Sequence, residues 1–357
     1  MGKNKKIAVV LMNLGGPDSR ANIKPFLFNF FMDKNIIAAP LPIRFLLAKY
    51  IAFKRNKNEA GDSYGELGGK SPLLENTQEQ ADLLQKNLNE KTDNNHYKVF
   101  VSMRYWHPMT EQVVQDVQNY DPDHIVLLPL YPQFSTATTR SSFQEWKKYA
   151  GKAGLDTPTA SICCYPWDKG FIEASADNVA EVYDKAKEET GKTPRVLFSA
   201  HGLPEKTIEA GDPYQWQCEQ SAEKIAHATG IDNLDWQICY QSRVGPLKWI
   251  GPSTLEALEQ AAKDNVPVVI LPHAFTQEHV ETLVEIEIEY REEAEKMGLH
   301  DFYRVDTVSA HPAFIDGLSD MIMARLDDTG IKSDQMKSLC PYGFKECCMK
   351  QSKKLAV

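Results

Sequence analysis

The sequence predicts an α/β fold in two halves, each a four-stranded parallel sheet flanked by helices, with a short cysteine-rich extension at the C-terminus. Eight short apolar runs recur along the 357 residues, helix-patterned segments lie between most of them, and after Leu326 the chain turns polar and then rich in cysteine. Runs that are apolar throughout, not at alternate positions, belong to strands buried on both faces, as in a parallel sheet covered by helices.

The first four runs are IAVVLMNL from Ile7, YKVFVSMRY from Tyr97, HIVLLPLY from His124 and TASICCY from Thr159. The second four are RVLFSAHG from Arg195, DWQICYQSR from Asp235, VPVVILPHAF from Val266 and FYRVDTVSA from Phe302. Segments such as LENTQEQADLLQKNLNE and FIEASADNVAEVYDKAKEET supply helices between them. Pro and Gly in 165-YPWDKG-170 mark the boundary, giving an N-terminal half 1–165, a C-terminal half 166–328 and an extension 329–357. Two domains of ordinary size suit this length.

Several function classes fall away. A net charge of −9, with acids spread along the chain, lacks the basic track a nucleic-acid binder needs. LGGPDS after the first run is not a GxGxxG fingerprint, so a nicotinamide or flavin reading has no support. The N-terminus reads as a strand and turn, not a signal peptide, and no apolar run is long enough to span a bilayer. The segment 36-IIAAPLPIRFLLAKYIAFKRNK-57 mixes aliphatics with Arg44, Lys49, Lys54, Arg55 and Lys57. That mixture suits a lip, 36–52, that dips into a membrane interface or receives an apolar anionic ligand, and equally a helix packed on its own core. Seven cysteines without an export signal argue for reduced thiols in a cytosolic compartment.

In open α/β sheets ligands bind at the carboxyl ends of the strands. Those ends carry Arg104-Tyr105-Trp106-His107, Tyr131-Pro132-Gln133, Ser199-Ala200-His201-Gly202, Tyr240-Gln241-Ser242-Arg243 and His273-Ala274-Phe275-Thr276. Just beyond the last lies 278-EHVETLVEIEIEY-290, with His279 beside Glu281 and further glutamates at Glu285 and Glu289. Residues four apart on an α-helix share a face, rotated by about 40° at each step. The aliphatics around the glutamates argue that some are partly buried, where a metal ion or protons would have to neutralise them. A solvated acidic helix is the plainer alternative. His201, ending its strand before a Gly-Leu-Pro turn, is expected to face the same cleft between the halves, where an imidazole and carboxylates could hold a divalent metal or take up protons. A π-type bulge near 281–289 is expected, since a five-residue turn would align the glutamates.

FSAHGLPEKTIEAGDPY, YQSRVGPLKWIGPSTLE and PHAFTQEHVETLVEIEIEY closely resemble ferrochelatases, which insert ferrous iron into a porphyrin to make haem. The likeness begins at LMNLGGPDS and runs through LGGKSPL, SMRYWHPMTE and LYPQFSTATT, so it covers nearly the whole chain. The resemblance implies two Rossmann-like halves and a lyase. It implies His201 and Glu281 as the catalytic, metal-binding pair and His279, Glu285 and Glu289 as a proton or metal relay. Leu14, Arg104, Tyr105, Tyr131, Ser135 and Trp249 would line the porphyrin pocket, although for Trp249 alone core packing is an equal reading. Insertion displaces two pyrrole protons, so the site needs a path in for a dication and a path out for protons. A neutral imidazole suits either task, because it titrates near working pH.

Some ferrochelatases carry a [2Fe–2S] cluster on a C-terminal extension with a further cysteine from the body. Cys340, Cys347 and Cys348 resemble that arrangement. Where relatives place the internal cysteine this chain has Thr136, so Cys163 or Cys164 would have to serve, Cys164 being the choice here; a tail of free thiols is the alternative. The partners implied are porphyrin and ferrous iron, with peripheral membrane contact through the lip and a monomer or homodimer. Two other classes stay open: a two-lobed metal carrier, and a cobalt or nickel chelatase of the same fold. The acceptor is protoporphyrin or coproporphyrin, the apolar lip favouring the former.

Overall fold

A computed structural model describes residues 4–355 apart from 58, 93, 244 and 246. Its strands are β1 (Lys5–Asn13), β2 (Asn95–Met103), β3 (His124–Pro129), β4 (Thr159–Ile162), β5 (Arg195–His201), β6 (Trp236–Gln241), β7 (Val268–Leu271), β8 (Phe302–Arg304) and β9 (Gly330–Lys332). All eight apolar runs contain a strand. The chain divides into two compact units, residues 1–164 with 318–339 and 348–357, and residues 165–317 with 340–347.

The first unit holds a parallel sheet ordered β2-β1-β3-β4-β9. β1 is buried from Ile7 to Asn13 and β3 along its whole length, which is why both read as continuous apolar runs. The second unit's sheet is ordered β6-β5-β7-β8, also parallel, with His201 opposite Gln241. Leu197, Val268, Ile270, Phe302 and Ile286 pack into one apolar cluster on it. Local signals close its helices. Asp168 accepts from the Phe171 N–H at the start of Lys169–Thr190, left-handed Gly191 ends that helix, and Ser253 and Glu256 form a capping box on Thr254–Asp264.

The sequence reading needs two corrections. The first sheet has five strands, because β9 pairs with β4 from Ala160↔Gly330 to Ile162↔Lys332. The segment beyond 328 is therefore not a plain appendage: it supplies a strand to the first unit's sheet, and 340–347 groups with the second unit. A three-residue strand without an apolar run carries no periodicity, and only its partner reveals it.

The segment read as a lip is a helix, Leu41–Lys57. It buries Ala48 and Ala52 and exposes Leu41, Ile43, Phe45, Leu46, Tyr50 and Phe53. Small residues face inward and large apolar ones outward, the reverse of a helix packed on its own core.

Candidate active site

His201 is the last residue of β5, and its surroundings fix which ring nitrogen can react. Nδ1 donates to the Gly202 carbonyl at 2.7 Å, leaving Nε2 facing Glu281 Oε1 at 3.6 Å. Burial pulls the imidazole's proton affinity down, but the Glu281 carboxylate, the Gly202 carbonyl and the Glu285 charge outweigh it and lift the pKa to about 9. About a third of the side chain remains open to solvent, as does that of Glu281. Gly202 lets the strand ends approach, because a Cβ there would sit 2.8 Å from the Gln241 carbonyl oxygen and 3.2 Å from the Trp249 ring.

His279 flanks the same carboxylate, and its pKa is shifted the other way. Its Nδ1 accepts from the Glu281 backbone N–H at 3.0 Å, Nε2 lies 4.0 Å from Glu281 Oε2, and the ring stands edge-on to Phe275. Burial lowers its pKa despite Glu281 and Glu278, and the positive charge of His201 lowers it further. The two imidazoles thus flank one carboxylate with pKa values shifted in opposite directions.

Glu281–Tyr290 is π-helical, so the expected departure from α geometry is present and extends over ten residues instead of a single bulge. The glutamates do not line up as expected. A π turn takes about 4.4 residues, so residues four apart fall about 30° short of a full turn, where an α-helix overshoots by about 40°. Each finds a different setting. Glu281 faces His201, Glu289 is exposed, and Glu285 turns to the end of β6. There its carboxylate accepts from Ser242 N–H (2.8 Å), Ser242 Oγ (2.5 Å), Tyr290 Oη (2.9 Å) and Gln241 Nε2 (3.0 Å). The acids off the stripe are answered by arginines: Glu278 by Arg304, and Glu287 by Arg291 and Arg304.

In the first unit Arg104 and Tyr105 follow β2 and meet a residue the sequence reading missed, Asp33. Asp33 Oδ2 accepts from Arg104 Nη2 (3.1 Å), Tyr105 Oη (2.8 Å) and the Ser141 hydroxyl. Tyr105 also donates its backbone N–H to the Leu14 carbonyl, and Arg104 donates its own to Asn13. Leu14 is half-buried, whereas Tyr105, Tyr131 and Ser135 are buried. Tyr105 is therefore part of the network that holds Arg104. Trp249, in the second unit, is half-buried against Gly202.

The cysteines depart from the expectation of reduced thiols: Cys163 and Cys348 are joined in a disulfide. Backbone bonds from Cys163 N–H to Lys332 O and from Asp334 N–H to Cys164 O bring the tail alongside the end of β4. The sulfurs of Cys163, Cys164 and Cys348 lie within 4.8 Å of one another, all buried. Cys340 and Cys347 are buried in segment 340–347, where Gln217 Nε2 donates to Cys340 Sγ at 3.3 Å.

The family model for ferrochelatase matches residues 6–326. The chain belongs to the ferrochelatase family. Among its relatives are the ferrochelatase of Wolbachia sp. subsp. Drosophila simulans (strain wRi), 51% identical over 88% of this chain and 98% of its own length, and that of Pelagibacter ubique, 45% identical over 96% and 98%. The ferrochelatase of Caulobacter vibrioides (strain NA1000 / CB15N) is 47% identical over 95% and 94%.

In this family member, then, one sheet's carboxyl end gathers His201, His279, Glu281 and Glu285. The residues missed were Asp33, Gln241, Ser242 and Tyr290. The place of Gln241 and Ser242 at a strand's carboxyl end was legible; their hydrogen bonds to Glu285 were not.

Asp33 yields a test. Burial raises its pKa, but the Arg104 charge and the bonds from Ser141, Asn35 and Tyr105 outweigh it and hold it below the usual carboxylate range. The stability it contributes is thus present above the unfolded value, near 3.8, and is lost as pH falls through the lower folded value. Asp33→Asn should cost about 1–3 kcal/mol at pH 7, since it removes the acceptor shared by Arg104, Tyr105 and Ser141 and leaves Arg104 only Glu145, at 3.7 Å, as charge partner. Denaturant titrations should show the gap between wild type and variant narrowing below about pH 4; a constant gap would refute the assignment.

Proposed function

We propose that this chain inserts ferrous iron into a porphyrin, forming haem and releasing two protons, with His201 and Glu281 acting on metal and protons. The observation that carries this is the 3.6 Å approach of His201 Nε2 to Glu281 Oε1 at the carboxyl end of β5. With Nδ1 tied to the Gly202 carbonyl, Nε2 is the atom available to bind iron or receive a pyrrole proton. In the resting site that position carries a proton stabilised by Glu281, and an arriving dication competes for the same lone pair and carboxylate. Binding iron there would release the proton, and once the iron has passed to the porphyrin the vacated Nε2 would accept a pyrrole proton.

His279, whose pKa burial lowers, has Nδ1 engaged by the Glu281 backbone N–H and turns Nε2 toward Glu281 Oε2, so we assign it to holding that carboxylate in place beside the relay. Exposed Glu289 would begin the path from solvent, and Glu285 lies between it and Glu281 in sequence. Leu14, Arg104, Tyr131, Ser135 and Trp249 are assigned to the porphyrin pocket, Tyr105 acting through Arg104. Protoporphyrin is the favoured acceptor, in keeping with a lyase that receives an apolar substrate. The outward Leu46, Tyr50 and Phe53, with Lys54 and Arg55 following, suit a peripheral contact with an anionic membrane.

Cys163, Cys164 and Cys348, whose sulfurs lie within 4.8 Å of one another, offer three donors of the sulfur set a [2Fe–2S] cluster requires. Cys340, Cys347 and Cys348 with Cys163 or Cys164 are the proposed ligands, Cys163 and Cys348 being the same thiols that the disulfide uses. When bound, a cluster supplies a one-electron redox centre and a crosslink from the tail to the body.

Haem formation from Fe²⁺ and protoporphyrin, followed by absorbance, should fall by about 10²-fold or more in His201→Ala. Glu281→Gln should lose at least about tenfold more activity than Glu289→Gln, and equal losses would refute a directional path. Protein purified without air should contain iron and acid-labile sulfide in equal amounts; a colourless, sulfide-free protein would reject the cluster. Vesicles containing anionic lipid should pull down wild type and release Leu46→Glu, whereas equal recovery would reject the membrane contact.

A further inference from the structure

Gln241 is wholly buried, and its hydrogen bonds, some to the strand that ends in His201 and some to the helix that begins with Glu281, together link the two. Its Oε1 accepts from Ser199 Oγ at 3.0 Å, two residues before His201 in β5. Its backbone carbonyl accepts from the Gly202 N–H at 2.8 Å, and the carbonyl of that same Gly202 holds His201 Nδ1. Its Nε2 donates to the Glu281 backbone carbonyl at 3.1 Å and to Glu285 Oε2 at 3.0 Å. The remaining capacity of Glu285 is taken by the Ser242 backbone N–H and hydroxyl and by Tyr290 Oη. Ser242 adopts a left-handed backbone, φ 62°, in the turn that aims both of its donors at one carboxylate.

A carboxylate accepting four hydrogen bonds from neutral donors is a poor stepping stone for a dication, which would have to displace them. From this geometry we infer that Gln241 is a positioning residue that sets the separation of His201 and Glu281, and that Glu285, clamped by Gln241, Ser242 and Tyr290, is the anchor of the π-helix and not a step in the relay. The inference deepens the proposed roles of His201 and Glu281 and rests on them. Glutamine is the side chain that meets the demand. Leucine would remove one partner each from Ser199, which keeps Thr254, from the Glu281 carbonyl, and from Glu285, which keeps three donors, and would cut the link between them; glutamate would set a second carboxylate against Glu285.

A positioning role predicts that kcat falls while porphyrin KM holds, and that the loss vanishes once Glu281 can no longer act. Steady-state iron insertion should be measured for Gln241→Leu, Tyr290→Phe and Glu281→Gln, and for each of the first two combined with Glu281→Gln. Circular dichroism checks that each variant is folded. Gln241→Leu should lower kcat by about 10–100-fold, the scale of an ångström's misplacement, and leave porphyrin KM within about twofold. Tyr290→Phe, which removes one donor at a half-buried site, should lower kcat by a few-fold and decides the matter if Gln241→Leu fails to fold. On the Glu281→Gln background each should cost less than about twofold. Wild-type kcat in the folded single variants, or a loss that recurs in full on the Glu281→Gln background, would overturn the inference while leaving the roles of His201 and Glu281 intact. Full activity in Glu281→Gln alone would overturn both.

Discussion

Four neutral donors converging on the Glu285 carboxylate are the constraint on which the geometry of the second unit's sheet end depends. Parallel pairing of β5 with β6 puts His201 opposite Gln241, and Gln241 reaches across to the first turn of Glu281–Tyr290. Without those bonds, a helix carrying Glu281 and Glu285 against apolar Val284 and Ile286 would have carboxylates at the edge of a core and little to hold them there. With them, one carboxylate is satisfied inside the protein and the other is left facing an imidazole.

This division of labour explains how so acidic a helix stays packed. Acids off the stripe, Glu278 and Glu287, are neutralised by Arg304 and Arg291, whose pairs lie toward β8. On the stripe no arginine takes that role for Glu285; hydroxyls, an amide and a backbone N–H do. The net negative potential that remains is felt by His201, lifted to about 9, whereas His279, more deeply buried, goes the other way. Burial and charge oppose each other at both rings. The balance differs because solvent still reaches His201 and its Nε2 stands closer to Glu281.

The first unit uses a different arrangement for its strand ends. Buried Asp33 draws Arg104, Tyr105 and Ser141 onto one carboxylate oxygen, so the guanidinium is held by an internal charge. The helix Leu41–Lys57 in the same unit spends its small residues on contact and leaves large apolar ones outside, which is uncommon for a helix that meets only water.

The strands and the helical segments between them were legible because burial on both faces writes a continuous apolar run that no other element requires. His201 and Glu281 were legible because strand ends and an acidic ladder are local patterns, and the ordered motifs around them belong to one family. β9 was not legible, since three residues without an apolar run become a strand only beside β4. Nor was Asp33, whose single carboxylate stands in the loop after the helix Ile23–Phe31, more than 70 positions from the arginine it pairs. The sequence by itself determined the family, the strands and the candidate residues that stand at their ends. Only the tertiary structure decided that Glu285 is clamped while Glu281 is presented, because hydrogen bonds to a carboxylate depend on where distant strand ends come to rest, and that placement leaves no periodic mark on the chain.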